Sequence, residues 1–228
     1  MNPSSNRREE WDAWAPDYGR DVDWLEEILD PDLRELLAPA GKRVLDAGCG
    51  TGRRAASVLG DASAVLAVDF SEGMAAVARD VFSAMGGAEV LLLDMEKEPL
   101  PPGRPFDAAM AVSVMHHIAD PAAVLGKIKA SLVPGGRLVL VDFVSGRPKA
   151  EALKYYLEMA CRHAPWRLVA AFLKRSFCKT RLSAHQAREN HLTLDAFERR
   201  YADLLPGGRV EVRHGIFAYF VWDKPAVL

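Results

Sequence analysis

The sequence has no long apolar run and few cysteines, and each absence excludes a class of protein. Its apolar stretches fall far short of the roughly 20 residues that a membrane-spanning helix needs, so we expect no transmembrane segment. The first residues, MNPSSNRREEWDAW, lack the apolar core of a secretory signal, which predicts a cytoplasmic protein. Three cysteines without paired spacing predict neither a disulfide scaffold nor a metal centre.

What the chain does contain is the composition of an ordinary globular domain. Hydrophobic residues make up 50% and charged residues 26% of its 228 residues, and the formal net charge is −2. A chain of this length is long enough for one well-buried core and short for two domains. We therefore predict a single domain over residues 1–228, with a helical cap over residues 1–40 and a helical insertion, a substrate lid, over residues 145–192.

Five apolar runs alternate with helical stretches. The runs read KRVLDAG, AVLAVDF, AEVLLLDM, FDAAMAVS and GRLVLVDF. Nearly continuous Val, Leu and Ala are typical of parallel strands that are covered by helices on both faces. Ser71 and Asp120 are candidate N-caps of two intervening helices, and the glycine pairs Gly86–Gly87 and Gly135–Gly136 follow the predicted helix ends. Right-handed connections turn this order into a doubly wound α/β sheet.

A glycine-rich loop follows the first predicted strand, in the segment RVLDAGCGTGRR. Gly48, Gly50 and Gly52 have no Cβ, which permits a tight turn and close approach of a ligand to the backbone. Ligands of such sheets bind beyond the carboxyl ends of the strands, where this loop lies. The spacing fits a dinucleotide site poorly, because Arg53 occupies the place of the third glycine, and no Gly-Lys-Ser/Thr of a Walker loop follows.

These residues resemble the class I S-adenosylmethionine-dependent methyltransferases, particularly the small-molecule branch that includes quinone-biosynthesis and natural-product enzymes. The resemblance runs from about Arg43 to Phe143 and rests on VLDAGCGTG, AVDFSEGM, LLLDMEKEPLP, FDAAMAVSVMHHIADP and LVPGGRLVLVDF, in family order and spacing. It implies a Rossmann-like, mostly parallel seven-stranded sheet with an antiparallel last strand. The segment RVEVRHGIFAYFVWDKP, hinged at His214 and Gly215, fits the final strand pair.

The resemblance also implies a cofactor and the residues that bind it. The cofactor is S-adenosyl-L-methionine. Asp69 is expected to accept hydrogen bonds from both ribose hydroxyls and Asp94 to accept one from the adenine amino group, although either carboxylate can instead be a helix N-cap or a loop acid. Asp46 can bind the cofactor or brace the amides of the glycine loop. The other predicted cofactor contacts are Tyr18, Gly48, Cys49, Gly50, Phe70, Met74, Met95 and Ser113.

Two histidines and an aspartate are candidates for catalysis. Methyl transfer from a sulfonium is an in-line displacement with an activated leaving group, but an acceptor such as a phenol or an alcohol must also lose a proton. His116 and His117 follow the fourth predicted strand, and Asp142 ends the fifth. Either one histidine acts as a general base that Asp142 orients, or the histidines cap the strand and shape the pocket.

Specificity is expected from the N-terminal aromatics and from the insertion. Trp11, Trp14 and Tyr18 either close over the cofactor or staple the first helix to the core. Residues 145–191 contain ten Lys or Arg and three Glu, a net charge of +7, which predicts an anionic partner: an anionic acceptor, an acidic carrier protein, or a membrane surface that holds a lipophilic substrate. Within the insertion, residues 165–177 have the pattern of an amphipathic helix, either packed as core or lid or in peripheral contact with a membrane.

The predicted activity is methylation of oxygen, nitrogen or carbon on a small organic acceptor, in secondary metabolism or in quinone or lipid biosynthesis. An alternative is an S-adenosylmethionine-binding enzyme of the same fold that catalyses cyclisation or rearrangement. A noncatalytic binding protein on this fold is disfavoured by the intact cofactor motifs. Nucleic acid is not an expected partner, because the fourth strand continues as VSVM, without the Asn/Asp-Pro-Pro-aromatic motif that grips a flipped base.

Overall fold

The computed structural model describes residues 7–23, 27–103, 105–162 and 191–226. Its strands form a seven-stranded sheet in the order β3-β2-β1-β4-β5-β7-β6. Strands β1 to β5 pair in parallel, and β7 pairs antiparallel with both β5 and β6. This confirms the predicted fold class, including the antiparallel last strand. The strands are β1 (Arg43–Ala47), β2 (Ala64–Asp69), β3 (Ala88–Leu92), β4 (Phe106–Val112), β5 (Leu132–Phe143), β6 (Arg209–Arg213) and β7 (Phe217–Asp223).

Helices connect the strands, and three of them begin at side-chain caps. The hydroxyl of Ser71, the carboxylate of Asp120 and the hydroxyl of Thr193 each accept a hydrogen bond from a backbone amide three residues ahead. Such caps satisfy amides that have no partner within the helix. The described α-helices are α1 (Arg8–Tyr18), α2 (Asp30–Leu37), α3 (Arg53–Val58), α4 (Glu72–Phe82), α5 (Pro121–Ser131), α6 (Lys149–Arg162) and α7 (Leu194–Leu204).

The core lies on both faces of the sheet, because side chains alternate along each strand. In β5, Leu138 and Leu140 pack in the apolar cluster that contains Phe197 of α7. Their neighbours Val139 and Val141 pack on the opposite face, with Leu33 of α2. Both faces of β5 are therefore apolar, as the near-continuous hydrophobic run of this strand predicts.

The first helix is fixed across the carboxyl ends of the strands by one aspartate. Asp12 Oδ1 accepts hydrogen bonds from Ser71 Oγ at 2.6 Å and from the Gly73 amide at 2.9 Å. A Cβ added at Gly73 would lie 2.8 Å from Asp12 Cα, so glycine is required where α1 crosses the start of α4. The predicted N-terminal cap is thus helical, and Asp12 attaches it to the sheet through α4.

The insertion after β5 begins with α6. The predicted amphipathic segment 165–177 and Cys178 lie outside the described residues. Within the described part of the chain, no helix is long and apolar enough to cross a membrane.

Candidate active site

The three glycines of the loop after β1 are needed for different reasons. A Cβ added at Gly48 would lie 2.5 Å from Val114 Cγ2, and one added at Gly52 would lie 3.0 Å from Ala78 Cβ in α4. A Cβ added at Gly50 would meet no atom within 4 Å. All three have positive φ, which favours glycine. Gly48 and Gly52 therefore serve packing within the protein, and Gly50 is the loop glycine that leaves open space for a ligand.

Asp69 joins the glycine loop to the start of α4. Its Oδ2 accepts a hydrogen bond from the Gly50 amide, and its Oδ1 accepts one from the Ser71 amide, both at 2.9 Å. Burial raises the pKa of Asp69 above its ordinary value, and hydrogen bonds from the amides of Ser71, Gly50 and Phe70 oppose that rise. The carboxylate thus lies at the end of β2 with its two oxygens already holding the loop.

Asp46, near the end of β1, is a second buried acid of this region. Its residue surface is 4% exposed. Burial raises its pKa to about 7, Arg54 opposes that rise through its positive charge, and the nearby charge of Asp69 adds to it. Asp46 therefore carries a proton for part of the time near neutral pH.

Asp94, after β3, is held in its charged form. Burial disfavours ionisation, but the Lys97 ammonium at 2.8 Å and the Glu96 amide at 3.1 Å outweigh it, so the pKa of Asp94 lies below its ordinary value. Glu96 in turn accepts a hydrogen bond from the Ala119 amide at 2.8 Å. The loops after β3 and β4 are connected by this contact.

A cavity lies at the carboxyl ends of β1 to β4. Every predicted cofactor residue except Asp46 lines it, and so does His117. The sequence did not single out Thr51, Arg54, Leu93, Glu96, Val112, Val114 and Ile118, which also line it. These residues fall within the recognised motifs or beside them, so their position was predictable, but nothing in the pattern marks which side chains face the cavity.

The aromatic residues of α1 divide into two roles. Trp11 and Tyr18 line the cavity. Trp14 is 5% exposed and donates a hydrogen bond from Nε1 to Asp21 Oδ2 at 3.1 Å. The Trp11 ring meets the His117 ring edge-on, with centroids 5.2 Å apart. Trp14 therefore packs in the core, whereas Trp11 and Tyr18 line the cavity, and their contact with a cofactor stays a prediction.

Behind His117 lies a group that we call the inner cluster, made of His116, Asp142 and His191. His116 Nδ1 is 2.5 Å from Asp142 Oδ1, and both side chains are only 6% exposed. The His116 ring lies 3.8 Å from that of His117 and 4.9 Å from that of His191, measured between centroids. Asp142 therefore contacts His116, while His117 is the histidine that lines the cavity. His191 is separated from both in sequence, and no local pattern indicated its position.

A second group, the outer cluster, lies on the opposite face of the sheet and was not predicted. His214, in the turn between β6 and β7, has Asp32 of α2 on one ring nitrogen, 2.7 Å from Nε2, and Glu158 of α6 on the other. Arg213 Nη1 lies 2.7 Å from Asp32 Oδ1, and the hydroxyl of Tyr219 donates to Asp32 Oδ2 at 3.1 Å. The outer cluster thus joins α2, α6 and the last hairpin.

Comparison with known proteins shows which family the central part of this chain resembles. Residues 45–140 match the family model described as a methyltransferase domain. Over this region the chain is similar to a methyltransferase domain, which supports the resemblance that the motifs predicted.

Individual relatives cover only part of this chain and of their own length. A ubiquinone biosynthesis O-methyltransferase of Azotobacter vinelandii is 34% identical over 135 residues, which are 58% of this chain and 53% of the relative. An O-methyltransferase (cnsE) of Penicillium expansum is 36% identical over 49% of this chain and 42% of its own. A demethylmenaquinone methyltransferase of Thermus thermophilus is 35% identical over 55% of this chain and 56% of the relative. The chain spans about half the length of these curated relatives.

Solved structures match along nearly the whole chain. The structure of DhpI in complex with S-adenosylhomocysteine has a TM-score of 0.67 and 19% identity, over 97% of this chain and 96% of that one. The structure of the [4+2]-cyclase SpnF has a TM-score of 0.54 and 19% identity, over 88% of this chain and 82% of that one. At such identities, the comparisons establish the fold.

Proposed function

We propose that the protein is an S-adenosylmethionine-dependent methyltransferase that methylates a hydroxyl group of a small organic acceptor. The observation that carries this proposal is the cavity at the carboxyl edge of the sheet, where the glycine loop, Asp69, Asp94 and His117 meet. This edge of the sheet is where ligands of doubly wound folds bind.

The walls of the cavity suit the parts of this cofactor. Each carboxylate oxygen has two lone pairs, so Asp69 can accept ribose hydroxyls while it still holds the amides of Gly50 and Ser71. Asp94 is held ionised by Lys97, which favours its acceptance of a hydrogen bond from the adenine amino group. Met95 and Phe70 line the cavity nearby and offer apolar contact to the adenine ring.

The reaction needs placement of the two substrates and removal of one proton. When bound, S-adenosylmethionine would supply the methyl group to the acceptor oxygen and leave as S-adenosylhomocysteine, which keeps the electron pair of the broken carbon–sulfur bond on sulfur. His117 lines the cavity and is our candidate for the base that takes the acceptor proton. His116 and Asp142 do not line it, so we propose that they act as positioning residues, through the packing of His116 on His117. Placement and exclusion of water supply the rest of the acceleration.

The nature of the acceptor is a further part of the proposal. The relatives named above act in ubiquinone biosynthesis or carry the names O-methyltransferase and demethylmenaquinone methyltransferase, which supports a quinone-type or natural-product acceptor. The net charge of +7 over residues 145–191 supports an anionic acceptor or a lipophilic one presented at an anionic surface. Peripheral membrane contact through residues 165–177 and a cytoplasmic location stay predictions.

Calorimetric titration with S-adenosylmethionine and S-adenosylhomocysteine tests the proposal. We expect micromolar binding by the wild type, and a loss of about 1.5–3 kcal/mol in Asp69→Ala, or roughly 10- to 150-fold, because a charge-assisted contact disappears. Asp203→Ala is the matched control, since Asp203 is exposed on α7 away from the cavity. If the folded wild-type protein binds neither compound, the proposal is overturned.

A second titration separates the ribose contact from the role of Asp69 in the loop. An analogue of S-adenosylhomocysteine without the ribose 2′-hydroxyl should bind the wild type more weakly than the parent compound does, and the two should bind Asp69→Ala equally. If the analogue loses the same affinity with both proteins, Asp69 acts through the loop alone. Mass spectrometry of products then distinguishes methylation, which adds a methyl group, from cyclisation or rearrangement, which leaves the mass of the acceptor unchanged.

A further inference from the structure

The inner cluster brings together three side chains from separate parts of the chain. His116 follows β4, Asp142 is near the end of β5, and His191 precedes α7. One ligand atom from each residue lies within 4.8 Å of the ligand atoms of the other two. Backbone contacts fix His191 in this position, since the Ser145 amide and hydroxyl donate to the carbonyls of Leu192 and His191, at 2.8 and 2.9 Å.

Two imidazoles and one carboxylate form a ligand set that binds divalent transition metals. Zinc takes histidine nitrogens and carboxylate oxygens at about 2.0–2.2 Å, which places two ligand atoms of a tetrahedral site about 3–4 Å apart. The ligand atoms of the inner cluster all lie within 4.8 Å of one another, and a bound ion would take the place of the 2.5 Å hydrogen bond between His116 and Asp142. We propose that His116, Asp142 and His191 bind a divalent transition-metal ion, with zinc the best match to this ligand set.

The outer cluster shows why histidine and carboxylates together are not sufficient. Asp32 and Glu158 contact opposite nitrogens of the His214 ring, so their oxygens do not converge on one point. Within the described ranges, the inner cluster is the group of His, Cys, Asp and Glu side chains that meets the convergence requirement. The sequence predicted no metal centre. The proposed metal site therefore rests on the tertiary geometry alone.

Metal binding at this position would have two consequences, one for stability and one for ligand binding. It would join the ends of β4 and β5 to the segment before α7, so metal binding stabilises the folded chain. Three protein ligands leave a fourth tetrahedral position for water or for an oxygen of a small ligand. His117, packed on His116, lies between this site and the cavity that it lines. The binding of the metal does not depend on methyl transfer.

Cobalt(II) and zinc(II) are the probes that test the inference, with full-length protein that carries no histidine tag and has been treated with a chelator. We expect cobalt to give a visible ligand-field absorption that saturates at one ion per chain and is displaced by zinc. Zinc should also raise the midpoint of thermal unfolding. If the wild-type protein shows neither the cobalt absorption nor a heat of zinc binding, the proposal is overturned.

Three variants locate the ion. Asp142→Asn retains an oxygen that can accept from His116 but loses the carboxylate charge, and His191→Gln removes one imidazole. Each should weaken zinc binding by at least about tenfold, which is what losing even an outer partner of a metal ligand costs. His214→Gln is the control and should bind zinc like the wild type. Equal losses in all three variants, or unchanged binding in both Asp142→Asn and His191→Gln, would show that the ion is not held here.

Discussion

The inner and outer clusters lie on opposite faces of the same sheet, and they combine the same residue types in different ways. In the outer cluster, basic and acidic side chains alternate in the order Arg213, Asp32, His214 and Glu158. Asp32 Oδ1 lies 2.7 Å from Arg213 Nη1, and Asp32 Oδ2 lies 2.7 Å from His214 Nε2. In the inner cluster, His116 and Asp142 are paired in a nearly dry place, each 6% exposed, and His191 faces the same point.

The difference concerns what each arrangement can bind. A row of alternating charges satisfies each member with its neighbours, and it fastens α2 and α6 to the last hairpin. The backbone adds to this, because a Cβ at Gly215 would lie 2.0 Å from the Glu151 carbonyl oxygen of α6. A convergent group instead directs its ligand atoms at one place in space. We infer that the outer cluster serves stability, whereas the inner cluster serves the site.

The largest effect that distinguishes the clusters is expected from Asp142→Ala. The substitution leaves the buried His116 without its carboxylate partner. Loss of one partner of a buried pair lowers the free energy of unfolding by about 3–5 kcal/mol. Urea unfolding with a chelator present measures this loss, and Asp142→Asn, which keeps the size and an acceptor, should lose less. A cost below about 1 kcal/mol would mean that the pair is not held together in the folded protein.

A smaller loss is expected from Asp32→Ala in the outer cluster. Asp32 accepts hydrogen bonds from Arg213, His214 and Tyr219 at once, and a bond to a charged group contributes about 1.5–3 kcal/mol. Partial exposure limits the total to about 2 kcal/mol, measured by the same urea unfolding. Cofactor affinity should be unchanged. A parallel loss of S-adenosylmethionine binding would contradict the separation of the two clusters.

The smallest effect is a pH dependence from His214. Burial disfavours its charged form, but hydrogen bonds and charges from Asp32 and Glu158 outweigh burial and raise the pKa of His214 above its ordinary value. A raised histidine pKa stabilises the fold below the ordinary value of about 6.5, and this stabilisation disappears as pH rises through the raised value. Arg213 and Tyr219 also face this group, through Asp32.

Unfolding of His214→Gln and wild type at two pH values measures that effect. The variant should be less stable than the wild type by about 1 kcal/mol near pH 6, and this difference in stability should narrow as pH rises through the raised pKa of His214. A gap that is constant with pH would show that His214 acts through packing and not through its charge.

Much of the fold was predictable from local patterns. The five apolar runs became β1 to β5, and Ser71 and Asp120 begin helices as predicted, because periodicity and capping depend on residues that are close in sequence. Apart from Tyr18 of α1, the predicted cofactor residues that line the cavity also follow strand ends or lie in recognised motifs. The reason why Gly48 must be glycine was not predictable, since it depends on the contact with Val114, a residue of another strand end.

The sequence by itself determined the order of strands and helices, the resemblance to methyltransferases, and the residues at the carboxyl ends of the strands, because each of these is recorded in neighbouring positions. Only the tertiary structure decided which histidine lines the cavity, that His191 joins His116 and Asp142, and that His214 lies between α2 and α6. These are contacts between segments far apart in the chain. The path of the backbone brings such segments together, and no short-range pattern encodes that path.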